Sequence, residues 1–89
     1  MTVKATFCIT GRRQWGEYEV NLKPVDTEMQ LKGFRDIKDV RQVGDARSYR
    51  FDVDVETNTR YDLEEVEGLL HAHPYFEKVE KVRKRRFPF

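Results

Sequence analysis

The sequence predicts a small α+β domain, and three features carry that expectation. Val3, Ala5, Phe7 and Ile9 alternate with polar residues, and Tyr49, Phe51, Val53 and Val55 do so again, the two-residue period of half-buried strands. Leu63, Val66, Leu69 and Leu70 instead recur with the period of a helix. Finally, 89 residues with 38% apolar and 12% aromatic side chains can bury one core but not two, so residues 1–89 form a single domain.

The elements follow in order. Residues 2–10 read as a strand, and Gly11 to Gly16 supply a turn that carries Arg12, Arg13 and Trp15. Tyr18, Val20 and Leu22 alternate in a second strand that can hairpin onto the first, and Pro24 ends it. Over residues 25–35 Asp26 can cap a short helix through Phe34, with Met29 and Leu31 facing inward, although Val25, Thr27, Met29 and Leu31 also alternate as a strand would. Ile37, Val40 and Val43 mark a strand with imperfect alternation, which suggests a bulge, and Gly44-Asp45 makes a turn. The strand around Phe51 is the clearest in the chain. After Asn58 and Thr59 comes one clear helix over about residues 61–73, acidic in its first turns where the helix dipole favours negative charge. Pro74 stops it. Residues 75–86 suit either a second helix, with Glu77/Lys81 and Glu80/Lys84 at spacing four, or a final edge strand. The strand completes a sheet and is preferred.

From residue 17 onward the order is then strand, short helix, strand, strand, helix, strand. That is the ferredoxin-like split βαβ arrangement, here with residues 2–10 as an extra N-terminal hairpin strand.

Charge is segregated although the net is only +1. Residues 52–67 carry seven acidic groups and one basic; residues 76–89 carry six basic and two acidic. The small net charge excludes a globally polycationic nucleic-acid binder, and segregation points to oriented association. Met1-Thr2-Val3-Lys4 begins a strand pattern and not an apolar leader, and no apolar run is long enough to span a bilayer. A cytoplasmic protein is expected. Cys8 stands alone, which permits no internal disulfide and no cysteine zinc cluster.

A search for chemistry returns little. His71 and His73, two residues apart on a helix, diverge by about 200° and cannot share a metal. Asp52, Asp54 and Glu56 lie on one strand face, where aligned carboxylates can hold Mg²⁺ or Ca²⁺, but a solvated antiparallel strand has the same look and is the favoured reading. Ser48 has no Gly-rich elbow, and Cys8 sits mid-strand as packing. No enzyme activity, metal or cofactor is expected. Arg47 to Val53 echoes the aromatic strand of an RNA-recognition motif, but that use would turn Asp52 and Asp54 into the core. Tyr49 and Phe51 are therefore assigned to the core.

Two basic-aromatic combinations remain as candidate contacts for a partner or a nucleic acid. The first is the basic and aromatic tail of residues 84–89 with its preceding cation: Arg83, Lys84, Arg85 and Arg86 followed by Phe87 and Phe89. The second is Arg12, Arg13 and Trp15. Asp52, Asp54, Glu56, Asp62, Glu64, Glu65 and Glu67 form a candidate acidic surface. The expected function is a non-catalytic interaction module or accessory protein that binds a protein partner or itself, through a strand edge or the N-terminal hairpin. Nucleic-acid binding through the two basic sets is the alternative.

Leu22-Lys23-Pro24, Gly33-Phe34 with Ile37-Lys38-Asp39-Val40-Arg41 and Val43-Gly44, and Leu69-Leu70 with His73-Pro74 occur in the same order as in the PurS small subunit of formylglycinamide ribonucleotide amidotransferase, which the chain resembles in these pieces. The resemblance implies a ferredoxin-like fold, no catalysis of its own and an oligomeric accessory role. The chain departs from that family where a full first helix is expected, since only about eight residues separate Pro24 from Gly33.

Overall fold

A computed structural model describes residues 2–15 and 20–82 of the chain. Strands β1 (Val3–Gly11), β4 (Ile37–Gln42), β5 (Arg50–Thr57) and β6 (Phe76–Val82) form one antiparallel sheet in the order β4-β5-β1-β6. Helices α1 (Pro24–Lys32) and α2 (Arg60–Ala72) join the strands, and β2 (Gln14–Trp15) pairs with β3 (Val20–Asn21) in a separate short ribbon. This is the ferredoxin-like α+β arrangement that the sequence predicts.

The register explains why one face of the sheet is dry. Phe7 lies opposite Val53 and Ile9 opposite Phe51, while Val79 and Val40 continue the same face on the flanking strands. Leu31 from α1 and Leu63, Val66 and Leu70 from α2 close the core over it. Thr59 caps α2, its Oγ1 accepting from the Asp62 N–H at 3.0 Å, and His73 is extended before Pro74. The bulge expected near Ile37 is present as a register shift between Ile37 and Asp39. Gly44 has φ +94°, a left-handed turn conformation that favours glycine.

Several details depart from the sequence reading. The first strand of the ferredoxin-like motif is residues 3–11, not the stretch after residue 17. β1 is flanked by β5 on one side and β6 on the other, so neither edge is open to a hairpin partner. The extra hairpin is instead the β2–β3 ribbon inserted between β1 and α1, where Val20–Asn21 pairs with Gln14–Trp15; Tyr18 lies outside the described residues.

Helix α1 starts at Pro24, with Lys23 and not Asp26 as its cap; Asp26 sits in the first turn and its Oδ2 accepts from the Lys23 N–H at 2.7 Å. Thr27 and Leu31, four apart, face the core, which turns Met29 to solvent at 65% exposure. On α2 the same geometry buries Leu63, Val66 and Leu70 and leaves Leu69 exposed at 59%. Tyr49 is half-buried ahead of β5 and is not in the core. Residues 76–82 are strand, as preferred.

Candidate interaction surface

The face of the sheet without helices is built from the other half of each alternation. β1 contributes Lys4, Thr6, Cys8 and Thr10, opposite Glu56, Asp54, Asp52 and Arg50 of β5. On the outer strands Asp39 and Arg41 of β4 and Lys78, Glu80 and Val82 of β6 extend it. Phe51 points the other way and is buried, so β5 offers no aromatic ring for base stacking on this open face.

Two of the three carboxylates of β5, Asp54 and Glu56, are already engaged. Arg41 grips Asp54 with two hydrogen bonds, Nη1 to Oδ2 at 2.7 Å and Nη2 to Oδ1 at 3.2 Å, and also reaches Asp39. These bonds, with Asp54 first, raise the Arg41 pKa above its ordinary value. Thr6 Oγ1 donates to Asp54 Oδ1 at 2.9 Å, and Lys4 Nζ lies 3.9 Å from Glu56 Oε2. Among the described residues no group of three or more His, Cys, Asp or Glu is placed to hold a metal ion. A shallow depression of about 650 Å³ at one end of the sheet mixes Lys4, Lys38 and Lys81 with Asp39, Asp54 and Glu56, an arrangement of both signs with no dominant charge.

The seven candidate acidic residues do not form one surface. Asp52, Asp54 and Glu56 lie on the open face, whereas Asp62, Glu64, Glu65 and Glu67 belong to α2 on the opposite side of the sheet. Glu67 pairs with His71 at 3.8 Å. Glu56, Asp62 and Glu65 line a second cleft of about 490 Å³ together with Arg35 and Lys38.

Of the two basic sets, only Arg12 and Arg13 have described side chains. Arg12 is tied into the fold: its N–H donates to the Tyr75 carbonyl at 2.8 Å and its Nε to the Pro74 carbonyl at 2.9 Å. The Arg13 guanidinium lies over the Tyr49 ring, 5.0 Å from its centre, and Tyr49 Oη donates to the Leu22 carbonyl at 2.6 Å. Both arginines therefore hold the β2–β3 ribbon against the domain. Trp15 is described only through its backbone pairing with Val20. Residues 83–89, including Arg83, Lys84, Arg85, Arg86, Phe87 and Phe89, lie outside the described residues. Val82 pairs with Thr6 at one end of β6, and Gly11 pairs with Phe76 at the other. Seven residues of strand, about 20 Å, separate these ends.

The final edge strand expected over residues 75–86 is β6, and its outer side is open. As the last strand in the order, β6 has a neighbour on one side only among the described residues. Glu77, Lys78, Glu80 and Lys81 are all exposed along it, and Val82 is 43% exposed. The charges of Phe76-Glu77-Lys78-Val79-Glu80-Lys81-Val82, which also suit helical pairs at spacing four, lie along this strand. No family model, curated protein or solved structure matches the chain.

Proposed function

We propose that this protein is a non-catalytic interaction module that binds a protein partner along the outer edge of β6. The observation that supports the reading is that edge itself: seven residues of strand backbone with no strand beyond them among the described residues. Unpaired strand N–H and C=O groups are a template for a further strand, and main-chain hydrogen bonds then supply affinity while side chains select the partner. The open sheet face is a weaker candidate, because Arg41, Thr6 and Lys4 already engage its Asp54 and Glu56. The same reading places the protein in the cytoplasm, where the lone Cys8 stays a free thiol.

A photo-crosslinking residue at Glu80 in the full chain, expressed in cells, tests it. Adducts are expected there and not at a control site such as Asn58, and absence of any adduct at Glu80 overturns the reading.

A narrower form follows the resemblance to PurS, as an accessory subunit of a purine-biosynthetic amidotransferase. In its support, α1 fills the interval between Pro24 and Gly33 with helix, at the place where that family carries its first helix. Co-purification of the chain with the other amidotransferase subunits is the expected result, and its absence removes this form.

A further inference from the structure

The outer edge of β6 carries a charge pattern with a centre of inversion. Around Val79, Lys78 on one side answers Glu80 on the other; Glu77 answers Lys81, and Phe76 answers Val82. Two copies of such a strand laid antiparallel with Val79 opposite Val79 bring opposite charges together at every charged position. Lys78 then faces Glu80 of the second copy, Glu77 faces its Lys81, and Val79 faces Val79, while Phe76 stays in the core of its own chain. We infer that β6 pairs with the β6 of a second copy of this chain in this register, joining two four-stranded sheets into one of eight strands across a two-fold axis at Val79. The inference rests on the reading of β6 as a binding edge and names its partner.

Other registers are disfavoured by the same residues. A slip of one residue sets Glu77 against Glu80 or Lys78 against Lys81. A slip of two sets Lys78 or Glu80 against its own copy. Like charges directly opposite are destabilising in a sheet, and among these registers only the pairing centred on Val79 is free of them; a slip of three avoids them too but leaves only four residues of each β6 paired. Antiparallel pairing about a dyad is also the symmetry that a closed homodimer requires. The irregularity in β6 does not interfere at the centre: the register with β1 shifts between Thr10 and Gly11, opposite the start of β6, and is regular from Lys78 to Val82. Lys78 and Glu80 of β6 also lie 3.6 Å apart within one chain, but as an exposed single ion pair that costs little to exchange, whereas Arg41 of β4 holds Asp54 with two hydrogen bonds and reaches Asp39 as well.

Charge exchange tests this with the full chain. Light scattering on the unmodified protein from about 10 μM to about 1 mM is expected to show the mass rising from one chain toward two. One variant carries Glu77→Lys with Glu80→Lys, and a second carries Lys78→Glu with Lys81→Glu. All four side chains are exposed, and circular dichroism verifies that both variants are folded. Each variant alone places like charges opposite one another and is expected to lose about tenfold or more in self-association. Mixed in equal amounts, they restore four opposite-charge pairs and should associate one to one.

A monomeric unmodified protein across the whole range overturns the inference, whatever the variants do. So does either variant that associates as well as the unmodified chain. If the unmodified protein is monomeric while Glu80 crosslinks to a different protein, the homodimer falls and the binding-edge reading stands. If Glu80 crosslinks to nothing, both fall.

Discussion

Gly11 of β1 and Thr27 of α1 are in direct contact: a β-carbon built on Gly11 would stand 2.0 Å from Thr27 Oγ1 and 2.8 Å from Thr27 Cβ. The absence of a side chain at residue 11 lets the helix lie against the strand end. It also fixes where the β2–β3 ribbon leaves the sheet, since the Gly11 N–H donates to the Tyr49 carbonyl at 2.7 Å.

Gly11→Ala is expected to destabilise the fold by about 3 kcal/mol, the upper end for overpacking, because no rotamer change moves the Thr27 β-carbon away. Urea denaturation measures this. A loss below about 0.5 kcal/mol would show that α1 is free to shift off the sheet.

Thr27 itself is fully buried, and its Oγ1 has no hydrogen-bond partner among the described residues. Thr27→Val replaces that hydroxyl with a methyl group of similar shape, so stability should rise by about 1 kcal/mol, seen as a higher melting temperature. A lower melting temperature would mean that the hydroxyl is satisfied in solution.

His73 gives the fold a pH dependence. Its ring stacks on Phe76 at 4.3 Å between centres, and its Nδ1 accepts from the Tyr75 N–H at 3.1 Å. Burial pushes its pKa below the usual histidine value of 6.5. The unfolded chain therefore takes up the proton first as pH falls. The contribution of His73 is complete above about pH 7 and is lost as pH drops through 6.5 toward the lower folded value. Urea melts at pH 7.5 and pH 5.5 should show this loss, and His73→Phe should remove that part of the difference.

The basic tail separates protein binding from nucleic-acid binding. Phosphate contacts by Arg83, Lys84, Arg85 and Arg86 would make affinity fall with salt, with a log–log slope of about −0.7 per contact on single strands. With protein association as the function, gel-shift titrations at two salt concentrations should show only weak retention at low salt and none at physiological salt. Conversion of the four cations to Gln should leave the melting temperature unchanged. Tight binding that survives physiological salt and weakens in that variant would reverse the assignment.

Much of this architecture was legible because local signals agreed with one another. Around Phe51 the alternation, the turn at Gly44 and the cap at Thr59 all specify one strand and its borders. Leu63, Val66 and Leu70 likewise specify one helical face. The N-terminal third was less legible, because alternation identifies a strand but not its neighbours. Tyr18, Val20 and Leu22 alternate as well as Val3, Ala5 and Phe7 do, yet β1 takes both central partners and Val20–Asn21 is left with the short ribbon. Met29 and Leu69 are apolar at positions that helical spacing allows to face inward, but Thr27, Leu31 and Leu70 fill that face. The Gly11–Thr27 contact joins residues sixteen apart and leaves no local trace. The charge symmetry of β6 was written in the sequence, but it acquires meaning only once β6 is known to be an outer strand.

Amide hydrogen exchange along Phe76–Val82 at low and high protein concentration tests the role of β6 most directly. In a lone chain the amides on its outer side face solvent and exchange fast, while those bonded to β1 are protected. Pairing of β6 with a second copy predicts that protection of the outer amides rises with concentration, while amides of β4 on the opposite edge do not change. Outer amides of β6 that exchange at the same fast rate at both concentrations would contradict it.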